Sequence, residues 1–220
     1  MLKFYKTYTT HSNDPDFKQA VQDDLEALLE QRGMRRLRMP LITCINELVV
    51  NGIKANYKNL YFEQYSPQNN ALELIPYHKA LQLFKLELST RRIDYFENLA
   101  RKKDVTVTLT MSVGPDDHLV IHVENPADMT QIEIENVQKK FSVAESYKNI
   151  TEYFEETEID PNKEGAGLGI IFIIMMMKNL GIPLTNLSIT SGNNRTSAIF
   201  RIPLEKWLID NYEKNIHPED

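Results

Sequence analysis

"VTVTLTMSVGPDDHLVIHVEN", Val105 to Asn125, decides the fold class. On both sides of Gly114-Pro115-Asp116-Asp117 the side chains alternate, apolar then mostly polar, with period two. That period sends successive residues to opposite faces of a strand, so one face of each segment is apolar throughout. The four residues between have turn composition, and the stretch reads as a β-hairpin from Val105 to Asn125. The same pattern recurs later. "LTNLSIT" (184–190) and "RTSAIFRIPL" (195–204) flank "SGNN" and read as a second hairpin.

Upstream the period is helical. Asp14-Pro15-Asp16 is a helix start, and "FKQAVQDDLEALLEQRG" places Phe17, Val21, Leu25, Leu28 and Leu29 on one stripe before Gly33 ends it. A second helix follows Pro40, with Leu41, Ile42, Ile45, Leu48, Val49 and Ile53 at helical spacing. "YSPQNN" (65–70) reads as a loop and "IDYFENLARKKD" (93–104) as a helix. "ALQLFKLELST" (80–90) fits neither period cleanly, and is read as helical because no turn signal separates it from the next helix. Residues 128–163 are polar and acidic, with helical character around "IENVQKKF". A strongly apolar helix and a short C-terminal helix complete the chain. Helices that must cover the apolar face of two hairpins imply an α+β, two-layer sandwich with a mainly antiparallel sheet.

The 220 residues suit one large domain, or one with an appendage. A net charge of −6 argues against a nucleic-acid protein, which would show a basic face. The single cysteine, Cys44, cannot form an internal disulfide and suits a reducing, cytoplasmic setting. The N-terminus lacks the apolar run of a signal peptide, and the longest apolar run, Leu168 to Met177, is short of the ~20 residues a bilayer requires. No membrane association is expected.

Two stretches carry chemistry. In "KEGAGLGIIFIIMMMKNLG" (163–181), Gly165, Gly167 and Gly169 open the apolar helix at alternate positions. Each glycine inside a helix costs roughly 1 kcal/mol against alanine, so a backbone approach or a turn has to justify them. A dinucleotide fingerprint is excluded, because position 170 is Ile and the preceding "EIDPNKE" is not a strand. A P-loop is excluded because Gly-Lys-Ser/Thr is missing. Two readings remain: backbone N–H groups offered to an anion at a helix N-terminus, or close packing of the helix on a neighbour. In "NELVVNGIKAN" (46–56), Glu47, Asn51 and Lys54 project from one face at i, i+4 and i+7. They form either a surface ion-pair ladder or a site. In the second case an amide oxygen ligates a hard cation, an ammonium meets phosphate, and a carboxylate orients or deprotonates a nucleophile.

Together these residues resemble the ATP-binding domain shared by gyrase, the ninety-kilodalton heat-shock chaperones, sensor histidine kinases and mismatch-repair ATPases, the Bergerat fold. Glu47-Leu48-x-x-Asn51 with Lys54 resembles that family's N-box, and Gly165-Ala166-Gly167-Leu168-Gly169 its second glycine box. Arg195 to Pro203 resembles its closing strand, with Thr196 at the phosphate-facing position. The resemblance spans about residues 38–205. It implies ATP and Mg²⁺ as cofactors, with Asn51 on the metal and the glycine box around the phosphates. Gly165 and Gly167 would permit close approach, and Gly169 helix packing. Glu47 would activate water or an acceptor hydroxyl, as in the hydrolytic and serine-kinase branches.

The first glycine box departs from the pattern. Asn125 stands where the family has its adenine-binding aspartate, Ala127 replaces the first glycine, and Asp128 is an alternative carboxylate nearby. The resemblance implies an N-terminal helical extension at 1–37, the domain proper at 38–208 and a tail at 209–220. Within the domain it implies a helical insert near 57–103 and a lid near 130–164. The lid carries Glu152, Glu155, Glu156, Glu158 and Asp160, an acidic stretch expected to face solvent. It implies a partner protein acted on in trans, since no phosphoacceptor helix is recognisable, and leaves a homodimer open. The alternative is a non-catalytic regulatory module of the same fold.

Overall fold

A computed structural model describes residues 3–65, 77–89, 93–147, 152–153 and 168–216. Among these residues five strands form one sheet in the order β1-β2-β3-β5-β4. They are β1 (Phe4–Thr10), β2 (Val107–Val113), β3 (His118–Asn125), β4 (Leu187–Ser191) and β5 (Thr196–Pro203). Every pairing is antiparallel. The two hairpins read from the sequence are β2–β3 and β4–β5, joined through β3 and β5 with Asn125 directly opposite Thr196.

The helices are α1 (Pro15–Gln31), α2 (Arg38–Tyr65), α3 (Tyr77–Ser89), α4 (Ile93–Lys102), α5 (Gln131–Ser146), α6 (Leu168–Leu180) and α7 (Trp207–Ile216). The apolar face of the sheet is fully enclosed: Val107, Leu109, Met111, Val113, Leu119, Ile121 and Phe200 are buried. The alternating residues Thr108, Thr110, Ser112, Val120, His122 and Glu124 are half-buried on the other face. This is the two-layer α+β sandwich expected from the hairpins. α6 lies deep within the helical layer, with Ile170, Ile171, Ile173, Ile174, Met175, Met176, Met177 and Leu180 all buried. A helix apolar all round requires such enclosure, and α2, α5 and α7 supply it. No helix among the described residues is long and apolar enough to cross a membrane.

Asp14 caps α1, its carboxylate accepting from the backbone N–H groups of Asp16 and Phe17. α2 begins two residues before Pro40, which sits in the first turn where its missing N–H leaves no bond unmade. The helix then runs unbroken to Tyr65, so the start of the expected insert is a continuation of α2. Tyr57 and Tyr61 are buried there, Tyr57 stacking on Phe96 of α4 and Tyr61 tilted against Phe84 of α3. The helical reading of 80–90 holds through Ser89, whereas Thr90 and most of "YSPQNN" lie outside the described residues.

The first 37 residues differ from the expected helical extension. β1 hydrogen-bonds along β2 as an edge strand, and Tyr8 of β1 donates to Asp24 of α1 at 2.5 Å. Only one neighbour and partial cover are needed at a sheet edge. "FYKTYTT" therefore lacks the apolar alternation that marks the central strands. The polar 209–220 tail likewise begins inside α7, whose Leu208 is buried in the core.

Candidate functional site

The polar face of α2 meets the start of α6. A Cβ built on Gly169 would lie 2.1 Å from Glu47 Oε2, 3.0 Å from its Cδ and 3.4 Å from its Cβ. The side chain of Glu47 therefore occupies the space a larger residue at 169 would need. What Gly169 packs against is a carboxylate, at the helix end whose exposed N–H groups favour negative charge. One turn below, burial and then the charge of Glu47 push the Cys44 thiol well above its ordinary range.

The stripe on α2 divides into two sets. Glu47 and Asn51 are half-buried and Lys54 is exposed, and none of the three has a hydrogen-bond or ion-pair partner among the described residues. An ion-pair ladder is therefore not what the face forms. The next polar residues are fully engaged. Lys58, 8% exposed, pairs with Glu133 of α5. Asn56, 2% exposed, donates from Nδ2 to the carbonyl of Thr106 at 3.1 Å. Neither was singled out from the sequence, although Lys58 continues the spacing of Glu47, Asn51 and Lys54 by one more turn.

The end of β3 closes the same region. Asn125 is 4% exposed and donates from Nδ2 to Asn56 Oδ1 at 3.3 Å. Its Oδ1 lies 3.5 Å from the position of a Cβ on Gly52, which would also press on the Val107 methyls at 3.1 and 3.3 Å. Gly52 is thus the close-approach point between α2 and the sheet. Ala127 is buried, its N–H bonded to the Asn125 carbonyl at 3.0 Å. Thr196 donates from Oγ1 to the Ala127 carbonyl at 2.6 Å, so it sits with Asn125 at the strand end. Asp128 is committed elsewhere. Its oxygens accept from the backbone N–H groups of Asn194 and Arg195, each at 3.0 Å, fixing the turn in which Asn193 and Asn194 both take positive φ.

α5, the first half of the expected lid, is fastened at both ends. Thr130 and Glu133 form a reciprocal cap at its start. Burial alone would raise the Glu133 carboxyl, but the bond and charge from Lys58, with further bonds from Thr130, hold it below its ordinary range. At the other end, Lys178 of α6 donates to the carbonyls of Ala144, Glu145 and Tyr147 at 2.7, 2.8 and 2.7 Å. A cation on the last carbonyls of a helix satisfies acceptors that have no partner within it.

Gly165, Ala166 and Gly167 lie outside the described residues, as do Glu155, Glu156, Glu158 and Asp160 of the acidic stretch. The backbone of Leu168 opens α6. The candidate residues come from four segments, and contacts join them in pairs: Glu47 of α2 with Gly169 of α6, Gly52 of α2 with Asn125 of β3, and Thr196 of β5 with Ala127, while Asn51 stands one turn from Glu47 on α2.

No family model matches the chain, and no solved structure matches it. It is similar to an uncharacterized protein of Treponema pallidum (strain Nichols), 29% identical over 200 residues. The match covers 89% of this chain and 37% of that protein, so the chain spans just over a third of its relative's length.

Proposed function

We propose that the chain binds Mg-ATP, or Mg-ADP after turnover, in the manner of the histidine kinase-like ATPases, and phosphorylates or remodels a partner protein in trans from the cytoplasm. The observation that carries this reading is the half-buried pair Glu47 and Asn51 on one face of α2, whose side chains have no partner among the described residues, with Glu47 lying against Gly169 at the start of α6. A half-buried carboxylate and amide whose polar atoms still reach solvent are free to bond a ligand without first breaking a bond inside the protein.

The donor set fits the proposed ligands. Asn51 offers an oxygen to a hard cation that retains phosphate and water in the rest of its shell. Lys54, exposed at the rim, is long enough to reach phosphate charge. The glycine segment 165–169 would offer backbone N–H groups to the phosphates. Glu47 would take the proton from water or from an acceptor hydroxyl. Magnesium and the triphosphate, when bound, supply the electrophilic phosphoryl group. Asn125, with Ala127 beside it, would form the base end, and Thr196, bonded to the Ala127 carbonyl, would keep the phosphate-facing position that the resemblance implies.

A second reading has one observation in its favour. Asn125 is a neutral amide already bonded to Asn56, which suits a regulatory module that binds nucleotide without turning it over. Thermal unfolding with ATP or ADP, with and without Mg²⁺, tests nucleotide binding for both readings. Ligand at ~100 times its dissociation constant adds about 2.7 kcal/mol. No shift with either nucleotide at millimolar concentration and excess Mg²⁺ overturns the proposal. Phosphate release or transfer then separates the two readings.

A further inference from the structure

We infer that Asn56 is a positioning residue that sets the polarity of the Asn125 amide, so that the site takes a purine with an exocyclic amine at C6 and rejects the 6-oxo purines. The inference rests on the nucleotide reading above and adds to it what makes a neutral asparagine selective.

Hydrogen-bond polarity fixes the orientation of both amides. An asparagine amide has a donating and an accepting end of nearly equal shape, so by itself Asn125 would accept from an amine or donate to a carbonyl with little preference. Asn56 removes that freedom. The carbonyl of Thr106 can only accept, so the Asn56 atom 3.1 Å from it has to be Nδ2. The other end of Asn56 is then Oδ1, and the Asn125 atom 3.3 Å from it has to be the donor Nδ2. Asn125 is left with Oδ1 turned the other way. No donor among the described residues reaches that oxygen. Beside it stands Gly52, where an added Cβ would come to 3.5 Å from the oxygen.

Both amides are almost fully buried, so reversing the chain would set two acceptors against each other at Thr106 without water to relieve them. A main-chain carbonyl on β2's approach thus fixes which end of a side chain on β3 meets the ligand, through one residue on α2. The acceptor can take a hydrogen bond from the 6-amino group of adenine. It opposes the 6-oxo group of hypoxanthine or guanine, leaving two acceptors face to face.

Calorimetric titration of the full chain with Mg-ATP and Mg-ITP tests this, because the two bases differ at C6 and its neighbouring ring nitrogen. An unpaired buried acceptor corresponds to roughly a 10- to 100-fold preference for ATP in the parent. Asn56→Ala leaves space for a water between Thr106 and Asn125, and water donates or accepts equally. The ATP/ITP ratio should then fall to within about 3-fold of unity, since neither end of the Asn125 amide is favoured. Adding Asn125→Asp to Asn56→Ala should restore the preference, because a carboxylate presents an oxygen on either side.

Should Asn56→Ala not fold, Asn56→Ser is the substitute, and proton NMR of the parent gives a reading independent of any variant. Nuclear Overhauser contacts from the Asn125 Nδ2 protons to the Asn56 side chain are expected. Their absence, with those protons facing the ligand, overturns the inference. So does an unchanged ATP/ITP ratio in a folded Asn56 variant. A parent that binds both nucleotides equally overturns the inference and leaves nucleotide binding standing. A parent that binds neither overturns both.

Discussion

Gly169 and Glu47 share one space: a Cβ on the glycine would stand 2.1 Å from the glutamate's Oε2. The neighbour that must give way is the tip of a side chain, so Gly169→Ala should turn the Glu47 carboxylate aside with little damage to the core. Alanine also gains up to ~1 kcal/mol over glycine within a helix. In the parent that gain should be cancelled by the displaced carboxylate. In a Glu47→Ala background it should emerge in full, giving a coupling of at least ~0.5 kcal/mol. Urea unfolding of the four proteins measures it, and equal effects of Gly169→Ala in both backgrounds would refute the contact.

Asn51→Ala should remove the Mg²⁺-dependent part of nucleotide affinity and leave the fold unchanged, because the amide has no partner to lose among the described residues. Glu47→Ala should keep nucleotide affinity and lose turnover, as expected of a general base. Calorimetry with and without Mg²⁺, and phosphate release, are the readouts. Unaltered Mg²⁺ dependence in Asn51→Ala, or unaltered turnover in Glu47→Ala, contradicts the assigned role.

Glu133→Gln should make stability less dependent on pH. The carboxyl is held below its ordinary 4.5 in the folded protein by Lys58 and Thr130, against a burial effect of opposite sign. The unfolded chain therefore takes up the proton first as pH falls. The contribution is fully present above about 4.5 and is lost as pH drops through the lower folded value. At neutral pH the variant should be less stable by under the ~3–5 kcal/mol of a fully buried pair, since Glu133 keeps 26% side-chain exposure. The two proteins should converge in acid. A constant gap from pH 7 to acid argues against the pairing.

Lys178→Met should loosen one end of α5. Three carbonyls lose a charged donor, and hydrogen bonds of that type contribute roughly 1.5–3 kcal/mol each when net effects are counted singly. Hydrogen exchange should speed up in the last turn of α5 while the amides of α6 stay protected. Uniform acceleration through both helices would mean that the ammonium supports the whole layer and does not act as a local cap.

Local pattern was enough for most of the architecture. The period of two in Val105–Asn125 and around "SGNN" determines both hairpins, because a strand buried on one face has to alternate. Asp14 and Gly33 mark α1, and Glu47, Asn51 and Lys54 lie on one face by helical spacing alone. β1 was not legible, since an edge strand meets too little of the core to need an apolar face. The pairings that make the candidate site were not legible either. Glu47 against Gly169, Asn56 between Thr106 and Asn125, and Lys58 on Glu133 each join residues from different elements. Periodicity says which side of an element is buried. Which polar groups then face one another is decided only when α2, α5, α6 and the sheet close on a common core, where desolvation makes every unmatched donor or acceptor costly.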